Sequence, residues 1–273
     1  MLPKEQAILQ LEAFNKAIQT ARYQTGALVD LTGIPGNIEQ ILVGDLHAKA
    51  YNLERILEHD NNIEKIKNGK AILLILGDAV HREDDLHEMD SSINIMQDIM
   101  DLKIMSPDNV YYLLGNHDYL SKNCERNFVY QGDLLRKRME ELYGRGYTAR
   151  YRTFIEHSPI VAIGRGFVAL HGGPPTQSLT IPEIIELPIK EEFNEIVNEL
   201  LWNRYPNLYN SDDVTRFLKN IGQKGATLLV SHSPKDKEDW HWEIDKNHHI
   251  IFAANSKFGY AVVRNGATEF IEI

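Results

Sequence analysis

Five short apolar segments of the chain end in residues of the types that bind metal ions in proteins. The segments are ILVGDLH (41–47), AILLILGDAVHR (71–82), VYYLLGNHD (110–118), FVALHGG (167–173) and ATLLVSHS (226–233). Taken singly, each polar residue has an ordinary explanation, since an aspartate after glycine is typical of turns. Five independent segments would have to acquire such residues by chance, so we interpret them as one set: Asp45, His47, Asp78, Asn116, His117, His171 and His232.

The mixture of side chains indicates the kind of metal. Carboxylates, imidazoles and an amide oxygen together suit Mn, Fe or Zn, whereas an all-oxygen set would favour Mg or Ca. A carboxylate such as Asp78 can bridge two ions, and two ions about 3.5–4 Å apart can clamp a displacement at phosphorus and activate a water between them. The positive charge of two divalent ions would exceed the negative charge of Asp45 and Asp78, so the site could hold an anionic substrate.

The overall composition excludes several classes of protein. The net charge of −10 over 273 residues argues against general nucleic-acid binding, which needs clustered Lys and Arg. No apolar run approaches the roughly 20 residues that span a membrane, and the N-terminus has no signal-peptide pattern, so a cytoplasmic protein is expected. Cys124 is the single cysteine, which excludes an internal disulfide, and we expect it to be buried.

The elements between these segments predict an α/β domain with mixed sheets. Continuous apolar runs are typical of strands covered on both faces, and ligands in such folds bind beyond the carboxyl ends of the strands. The 3.6-residue periodicity predicts helices over 52–68, 91–104, 134–144, 183–202 and 212–222. Residues 248–273 are predicted to form antiparallel strands with a turn at Asn265-Gly266.

We interpret residues 1–273 as a single domain with two additions. Residues 1–35 are expected to form an N-terminal helical extension. Residues 119–151 are expected to form a helical cap over the sheet edge, which selects substrates and takes no part in the chemistry.

At the level of motifs, the chain resembles the phosphoprotein phosphatase family, the serine/threonine phosphatase branch of the calcineurin-like metallophosphoesterases, in its bacterial type. The motifs are GDLH (44–47), GDAVHR (77–82), GNHD (115–118), HGG (171–173) and SH (231–232), with YRTFIEHSPIVAIGRGFVALHGG and NELLWNRYP as context. The resemblance runs from about residue 40 to the C-terminus. It implies a sandwich of two mixed β-sheets flanked by helices, and two divalent metal ions, with Mn the first expectation and Fe or Zn the alternatives.

The resemblance also implies roles for individual residues. Asp45 and His47 would bind the first metal, and Asp78 would bridge to the second, whose other ligands would be Asn116, His171 and His232. His117 would be the general acid that protonates the leaving oxygen. Arg82 would bind the substrate phosphate, for which its planar guanidinium is well matched. Arg204 in the LLWNR segment is a candidate second phosphate-binding arginine, with an ordinary helix-end arginine as the alternative.

Several positions depart from the family pattern. Ala48 and Glu83 stand where glycines are expected, Asp118 stands for a glutamate, and Ser256 stands where a tyrosine would line the substrate groove. His81 replaces an aspartate that would pair with the catalytic histidine and raise its pKa. We therefore expect His81 to lie beside His117, with Glu83, Asp84 or Asp118 partly restoring the missing negative charge.

Three functions are consistent with these residues. The first is a metal-dependent phosphomonoesterase that acts on phosphorylated Ser, Thr or Tyr side chains of proteins. The second is a hydrolase of dinucleoside polyphosphates or other small phosphates, for which Trp202, Trp240 and Trp242 could form a base-stacking shelf. The third is a non-catalytic interaction module, which the complete ligand set disfavours. The expected partner is thus a phosphorylated protein or a small phosphate ester, with no nucleic acid and no membrane.

Overall fold

The computed structural model describes residues 1–121, 124–190, 194–232 and 238–273, which form an α/β sandwich of two mixed sheets. The strands are β1 Gln24–Thr25, β2 Leu28–Asp30, β3 Glu39–Val43, β4 Ala71–Ile75, β5 Val110–Tyr112, β6 Glu125–Arg126, β7 Val129–Tyr130, β8 Val161–Gly164, β9 Phe167–Leu170, β10 Thr227–Val230, β11 His241–Asp245, β12 His248–Ile251, β13 Gly259–Arg264 and β14 Ala267–Glu272. The α-helices are α1 Lys4–Gln19, α2 Ala50–Glu58, α3 Asn62–Lys67, α4 Asp90–Met105, α5 Gln131–Tyr143, α6 Arg145–His157, α7 Ile181–Ile185, α8 Glu195–Trp202 and α9 Ser211–Asn220.

The larger sheet has the order β1-β2-β8-β9-β10-β12-β11, and the smaller has the order β14-β13-β3-β4-β5. Strands β3, β4 and β5 run parallel in the smaller sheet, as do β9, β10 and β12 in the larger one. A parallel bridge between Asp45 and Phe252 joins the two sheets just beyond β3 and β12. The carboxyl ends of the motif-bearing strands therefore point toward a common edge.

Alternation of side chains along the buried strands explains the layers. Leu42 and Leu74 of the smaller sheet share a core with Ala169 and Leu229 of the larger sheet. Their neighbours in sequence, such as Leu73, belong instead to the core beneath the helices. Both faces of the strands are apolar because one faces the opposite sheet and the other faces helices, as the continuous apolar runs predicted.

Two of the predicted helices are interrupted. The 52–68 pattern becomes α2 and α3, separated by a 3-10 turn at His59–Asn61 in which Asp60 and Asn61 adopt left-handed φ values of 49° and 55°. The 183–202 pattern becomes α7 and α8, because the Asn194 side chain accepts a hydrogen bond from Val197 N and starts a new helix. Part of the predicted stretch, 191–193, lies outside the described residues.

The C-terminal prediction is correct for the last two strands and wrong for the first. β13 and β14 form a hairpin whose turn residues Asn265 and Gly266 have the positive φ values of 52° and 84° that a tight turn needs. β12 instead pairs in parallel with β10 and belongs to the other sheet. Residues 248–273 therefore do not form one antiparallel unit.

The predicted extension and cap are both built into the fold. Helix α1 ends at Gln19, and β2, within the predicted helical extension, pairs in parallel with β8. Helices α5 and α6 pack together and against α1, burying Tyr147, Tyr151 and Phe154. Exchange of the entire 119–151 segment would remove this core, so its role in substrate selection is better tested by point substitutions.

A buried lysine in α4 makes the stability of this fold depend on pH. Lys103 is 2% exposed, and its Nζ donates hydrogen bonds to Pro107 O at 2.6 Å and Val110 O at 2.8 Å. Burial lowers its pKa to about 7. An unfolded lysine has a pKa of about 10.4, so between these values the unfolded state binds more protons and the free energy of unfolding rises with pH.

We expect Lys103→Met to remove this rise. Between pH 7 and pH 9 the free energy of unfolding of the wild-type protein should rise by about 2 kcal/mol more than that of the variant. One titrating group can contribute at most about 1.4 kcal/mol per pH unit. Urea unfolding at several pH values measures the difference. Parallel profiles for the two proteins would show that Lys103 does not titrate in this range.

Among the described helices, none is both long enough and apolar enough to cross a membrane.

Candidate metal and catalytic site

The polar residues predicted to form one set do come from the carboxyl ends of β3, β4, β5, β9 and β10. Several have left-handed backbone, with φ values of 40° at His47, 48° at Asp78, 68° at His81 and 85° at His232. Such conformations are costly for residues other than glycine and are concentrated at functional sites. Ala48 also has a φ of 60°, which gives a physical reason for the glycine expected at that position.

Backbone contacts hold the loops after β3, β4 and β5 against one another. Leu46 N and His47 N both donate to Asp78 O, at 3.1 Å and 3.0 Å. A side chain at Gly77 would place its Cβ 2.5 Å from Gly115 N, so the glycines before Asp78 and Asn116 allow these loops to touch. The close approach explains why both motifs begin with glycine.

Asp45, His47 and Asp78 form a buried cluster whose ligand atoms lie within 4.8 Å of one another. His47 Nδ1 lies 3.2 Å from Val80 O and 3.1 Å from His81 O. Because carbonyl oxygens only accept, Nδ1 carries the proton and Nε2 faces Asp45 Oδ2 at 3.5 Å. Burial alone would lower the pKa of His47, but Asp45 raises it to about 9, so this cluster favours added positive charge.

A second cluster surrounds the side-chain oxygen of Asn116. His171 Nε2 lies 2.8 Å and His232 Nε2 lies 2.9 Å from Asn116 Oδ1. His171 Nδ1 donates to Leu76 O at 2.7 Å, which leaves Nε2 as the ligand atom. The same Nε2 lies 3.3 Å from Asp78 Oδ2, so Asp78 contacts both clusters.

The donor atoms fit divalent ions. Ligands about 2.1 Å from one ion and at right angles to each other are about 3 Å apart, close to the distances in the second cluster. Asp78 Oδ2 is buried without a hydrogen-bond partner, while Asp78 Oδ1 accepts from His117 N at 2.7 Å. Although burial opposes ionisation, His171 and His117 hold the pKa of Asp78 well below its usual range. A buried, ionised carboxylate oxygen that accepts no hydrogen bond is expected where a cation binds.

Ser231 and Asp118 orient the candidate ligands, a role that sequence reasoning did not assign to either residue. Ser231 Oγ accepts from Asp45 N at 2.7 Å and also donates to Asp45 Oδ1, fixing the carboxylate. Asp118 accepts from Tyr112 Oη at 2.6 Å and from Gly115 N at 2.7 Å, which shapes the loop carrying Asn116. Serine before a ligand histidine and aspartate after GNH were visible signals, but their partners are set by tertiary contacts.

His117 lies at the edge of the first cluster, beside His81. The His117 ring is 5.5 Å from the His47 ring and 5.6 Å from the His81 ring, both in edge-to-face arrangements. Its Nδ1 is buried without a hydrogen-bond partner, and burial lowers the pKa of His117 to about 4. Trp202 lies 6.3 Å away between ring centroids.

Of the three carboxylates expected to compensate for His81, Glu83 lies 3.8 Å from His47 Nε2, while the other two are engaged elsewhere. Asp118 bonds to Tyr112 and the GNHD loop, and Asp84 bonds to Arg82 and Lys49. Within the described residues, the His117 ring makes no hydrogen bond to either of them. His81 itself is 1% exposed, and burial lowers its pKa well below the usual range.

The two candidate phosphate-binding arginines differ in their surroundings. Arg204 Nη2 lies 3.4 Å from Asn116 Oδ1, and its guanidinium lies over the Trp202 ring at 5.8 Å. Burial lowers the pKa of Arg204 to about 10, so it remains charged at neutral pH. Arg82 instead binds Asp84 through both Nε at 2.8 Å and Nη2 at 2.9 Å. Arg204 thus contacts a predicted metal ligand, while Arg82 is paired with a carboxylate.

The three tryptophans do not form one shelf. Trp240 is buried and donates from Nε1 to Glu272 at 3.0 Å. Trp202 lies beside His117, whereas Trp242 packs edge-on against Tyr205 with ring centroids 5.6 Å apart. Trp242 and Tyr205 line a cavity of about 400 Å³ next to Arg204 and His232.

Comparison with known proteins agrees with this architecture. A family model described as calcineurin-like phosphoesterase matches residues 40–262. A protein serine/threonine phosphatase from Saccharomyces cerevisiae has a similar structure, with a TM-score of 0.76 at 18% identity over 100% of this chain and 90% of that chain. A cold-active protein-tyrosine phosphatase of a psychrophilic Shewanella species has a TM-score of 0.62 at 12% identity, over 88% of this chain and 81% of that chain. A protein described as a putative diadenosine tetraphosphatase has a TM-score of 0.50 at 16% identity, over 90% of this chain and 98% of that chain.

At these identities the structural likeness shows the fold, a sandwich of mixed sheets flanked by helices, which confirms the predicted fold class. The family model covers most of the chain and includes every motif that suggested the family. The chain belongs to the calcineurin-like phosphoesterase family.

Proposed function

We propose that this protein is a divalent-metal-dependent phosphomonoesterase whose substrates are phosphorylated side chains of proteins. The observation that carries the proposal is the buried Asp78 Oδ2, which accepts no hydrogen bond and lies at the junction of two clusters of candidate metal-ligand atoms. Asp45 and His47 would hold a first ion with Asp78, and the second would be held by Asp78, Asn116, His171 and His232. Ions bound here would neutralise phosphate oxygens and ease deprotonation of an attacking water.

The protein groups around the clusters supply the remaining functions. Arg204 would bind a substrate phosphate oxygen, since its charged guanidinium reaches Asn116 without a carboxylate partner among its hydrogen bonds in the described residues. His117 would donate a proton from its ring to the leaving oxygen. The His81 ring would fix the position of the His117 ring by packing against its side. Arg82 could bind phosphate only by giving up Asp84.

The names of two structural neighbours support a protein substrate, since they are described as a protein serine/threonine phosphatase and a protein-tyrosine phosphatase. One observation favours a second candidate, the hydrolysis of a dinucleoside polyphosphate. The cavity lined by Tyr205 and Trp242 is next to Arg204 and offers aromatic surface to a nucleobase. That cavity would also accept the ring of a phosphotyrosine.

A substrate panel tests the proposal. We expect the Mn-loaded protein to hydrolyse at least one of phosphoserine, phosphothreonine and phosphotyrosine peptides with a kcat/KM about 100-fold above that for dinucleoside tetraphosphates. Activity should disappear on chelation and return with Mn²⁺. The reverse order of kcat/KM would assign the nucleotide function, and hydrolysis of neither class would leave the proposal without support.

A further inference from the structure

The β6–β7 hairpin is attached at both of its ends to loops of the candidate site. Cys124 Sγ, before β6, contacts Asn116 O at 3.3 Å, and Gln131 Nε2, after β7, donates to Arg82 O at 3.1 Å. The two ends are joined by a hydrogen bond from Gln131 N to Cys124 O at 2.9 Å. Cys124 and Gln131 are both fully buried. The base of the hairpin is therefore fixed between the loops that carry Asn116 and Arg82.

The first strand of the hairpin places Arg126 at the rim of the first cluster. Glu83 Oε1 lies 3.8 Å from His47 Nε2, the ring nitrogen that faces the predicted ion. Arg126 Nη1 lies 2.5 Å from the same Glu83 oxygen. The side chains are 37% and 32% exposed, and ion pairs with such exposure contribute little to stability. The pair can exchange for another anion at low cost.

The ion pairs of Arg82 and Arg126 are similarly exposed, but Arg126 would give up fewer contacts than Arg82 to meet a phosphate at this cluster. Asp84 accepts two hydrogen bonds on the Nε–Nη2 edge of the Arg82 guanidinium, and Glu88 lies 3.8 Å from Arg82 Nη1, whereas among the described residues Arg126 is ion-paired with Glu83. Carboxylate and phosphate oxygens match a guanidinium in the same way, so a phosphate can replace the Glu83 carboxylate on Arg126. Glu83 is itself a departure from the family pattern, and without Arg126 its negative charge would repel a substrate phosphate.

The turn of the hairpin presents an aromatic side chain to solvent. Asn127 and Phe128 have φ values of 50° and 63°, and Phe128 is 92% exposed. Turns with two positive φ values favour glycine at the second position, and a bulky residue there costs about 1–2 kcal/mol. Phe128 N donates a hydrogen bond to Glu125 Oε1 at 3.1 Å, which helps to hold the turn, but the ring itself faces solvent. Such an outlier suggests a functional contact made outside the chain.

We propose that the β6–β7 hairpin is a substrate-recognition arm, in which Arg126 exchanges Glu83 for the substrate phosphate and Phe128 contacts the peptide beyond the phosphorylated residue. The proposal rests on the phosphatase function proposed above. Arg126 and Phe128 would allow the protein to distinguish a phosphorylated peptide from a small phosphate ester. Glu83 keeps Arg126 in position while no substrate is bound.

Calorimetric titration of the Mn-loaded protein with inorganic phosphate tests the Arg126 contact. We expect Arg126→Gln to weaken phosphate binding about 10- to 100-fold, as loss of a charge-assisted hydrogen bond implies, while Mn²⁺ affinity stays unchanged. The matched control is Arg136→Gln, which removes an ion-paired arginine from α5 in the same segment. Equal phosphate affinity in the wild-type and Arg126→Gln proteins would overturn the assignment.

A double variant separates direct contact from simple neutralisation of Glu83. If Arg126 binds phosphate itself, the double variant Glu83→Gln/Arg126→Gln should still bind phosphate weakly. Recovery of wild-type phosphate affinity in the double variant would overturn the proposal, because it would reduce Arg126 to a neutralising partner. This titration does not depend on turnover. A wild-type protein that binds phosphate through Arg126 but hydrolyses no ester would contradict the proposed function alone.

Phe128→Gly tests the second contact, since glycine suits the turn and removes only the ring. We expect the KM for a phosphopeptide to rise about 3- to 10-fold, with kcat and the KM for p-nitrophenyl phosphate unchanged and thermal stability not lowered. An unchanged KM for every phosphopeptide that the wild-type protein hydrolyses would remove Phe128 from the arm.

Discussion

Asp78→Asn is expected to lower kcat at least about a hundredfold and to reduce the number of tightly bound Mn²⁺ ions per chain. The amide retains the size of the carboxylate but loses the charge and presents a single oxygen. Asp78 Oδ1 already accepts from His117 N at 2.7 Å, so in the variant the other position would hold an NH2 group beside His171 Nε2. Such a group cannot bind a cation.

Metal analysis after gel filtration and Mn²⁺ titration would measure this change. Asp98→Asn serves as the control, because Asp98 is an exposed aspartate of α4 outside the site. It should retain full metal content and activity. Two ions bound to Asp78→Asn with wild-type affinity would show that this carboxylate is not shared between the clusters.

His117→Asn is expected to lower kcat for an alkyl phosphate by about 10²–10⁴-fold, the usual contribution of a general acid. The loss should be much smaller for p-nitrophenyl phosphate, whose leaving group needs no proton. Metal content should be unchanged, since the His117 ring contacts the clusters only from the side. Because burial lowers the pKa of His117 to about 4, the protonated fraction falls as pH rises, and wild-type kcat for the alkyl ester should fall with it above that pH.

His81→Ala provides the comparison for this prediction. It removes the neighbouring ring, 5.6 Å from that of His117, without removing the proton donor. We expect a smaller loss of kcat than with His117→Asn and a retained preference for good leaving groups. Equal losses on both esters in His117→Asn would argue that the ring positions substrate and does not donate a proton.

The sequence predicted the motif-bearing strands because burial on both faces leaves a continuous apolar run that ends where the loop begins. The convergence of Asp45, Asp78 and Asn116 followed from one geometric rule, since neighbouring parallel strands end at the same edge of a sheet. This rule does not place the residues that follow β9 and β10, because those strands belong to the other sheet. Residue types at strand ends grouped His171 and His232 with the others, and the family resemblance implied their assignment to the second metal. Periodicity could not show that they lie on the other sheet.

The contacts that depend on loop conformation or on distant partners were not predictable. Arg82 follows the motif, yet its pairing with Asp84 depends on the left-handed loop around His81. Arg126 lies in a polar stretch without periodic pattern, and its contact with Glu83 appears only when the hairpin is attached to the site. β2 has a three-residue run that no pattern distinguishes from a loop, and it becomes a strand because β8 offers an edge.

The clusters draw their side chains from both sheets, with Asp45, Asp78 and Asn116 on the smaller one and His171 and His232 on the larger one. Ions bound there would link the two sheets of the sandwich at this edge. By mass action, one site filled at 100 times its Kd adds about 2.7 kcal/mol to the free energy of unfolding. Without ions the buried Asp78 Oδ2 would remain without a hydrogen bond, so the contact between the two sheets would be weakest at this edge. Metal supply would then set the lifetime of the protein as well as its activity.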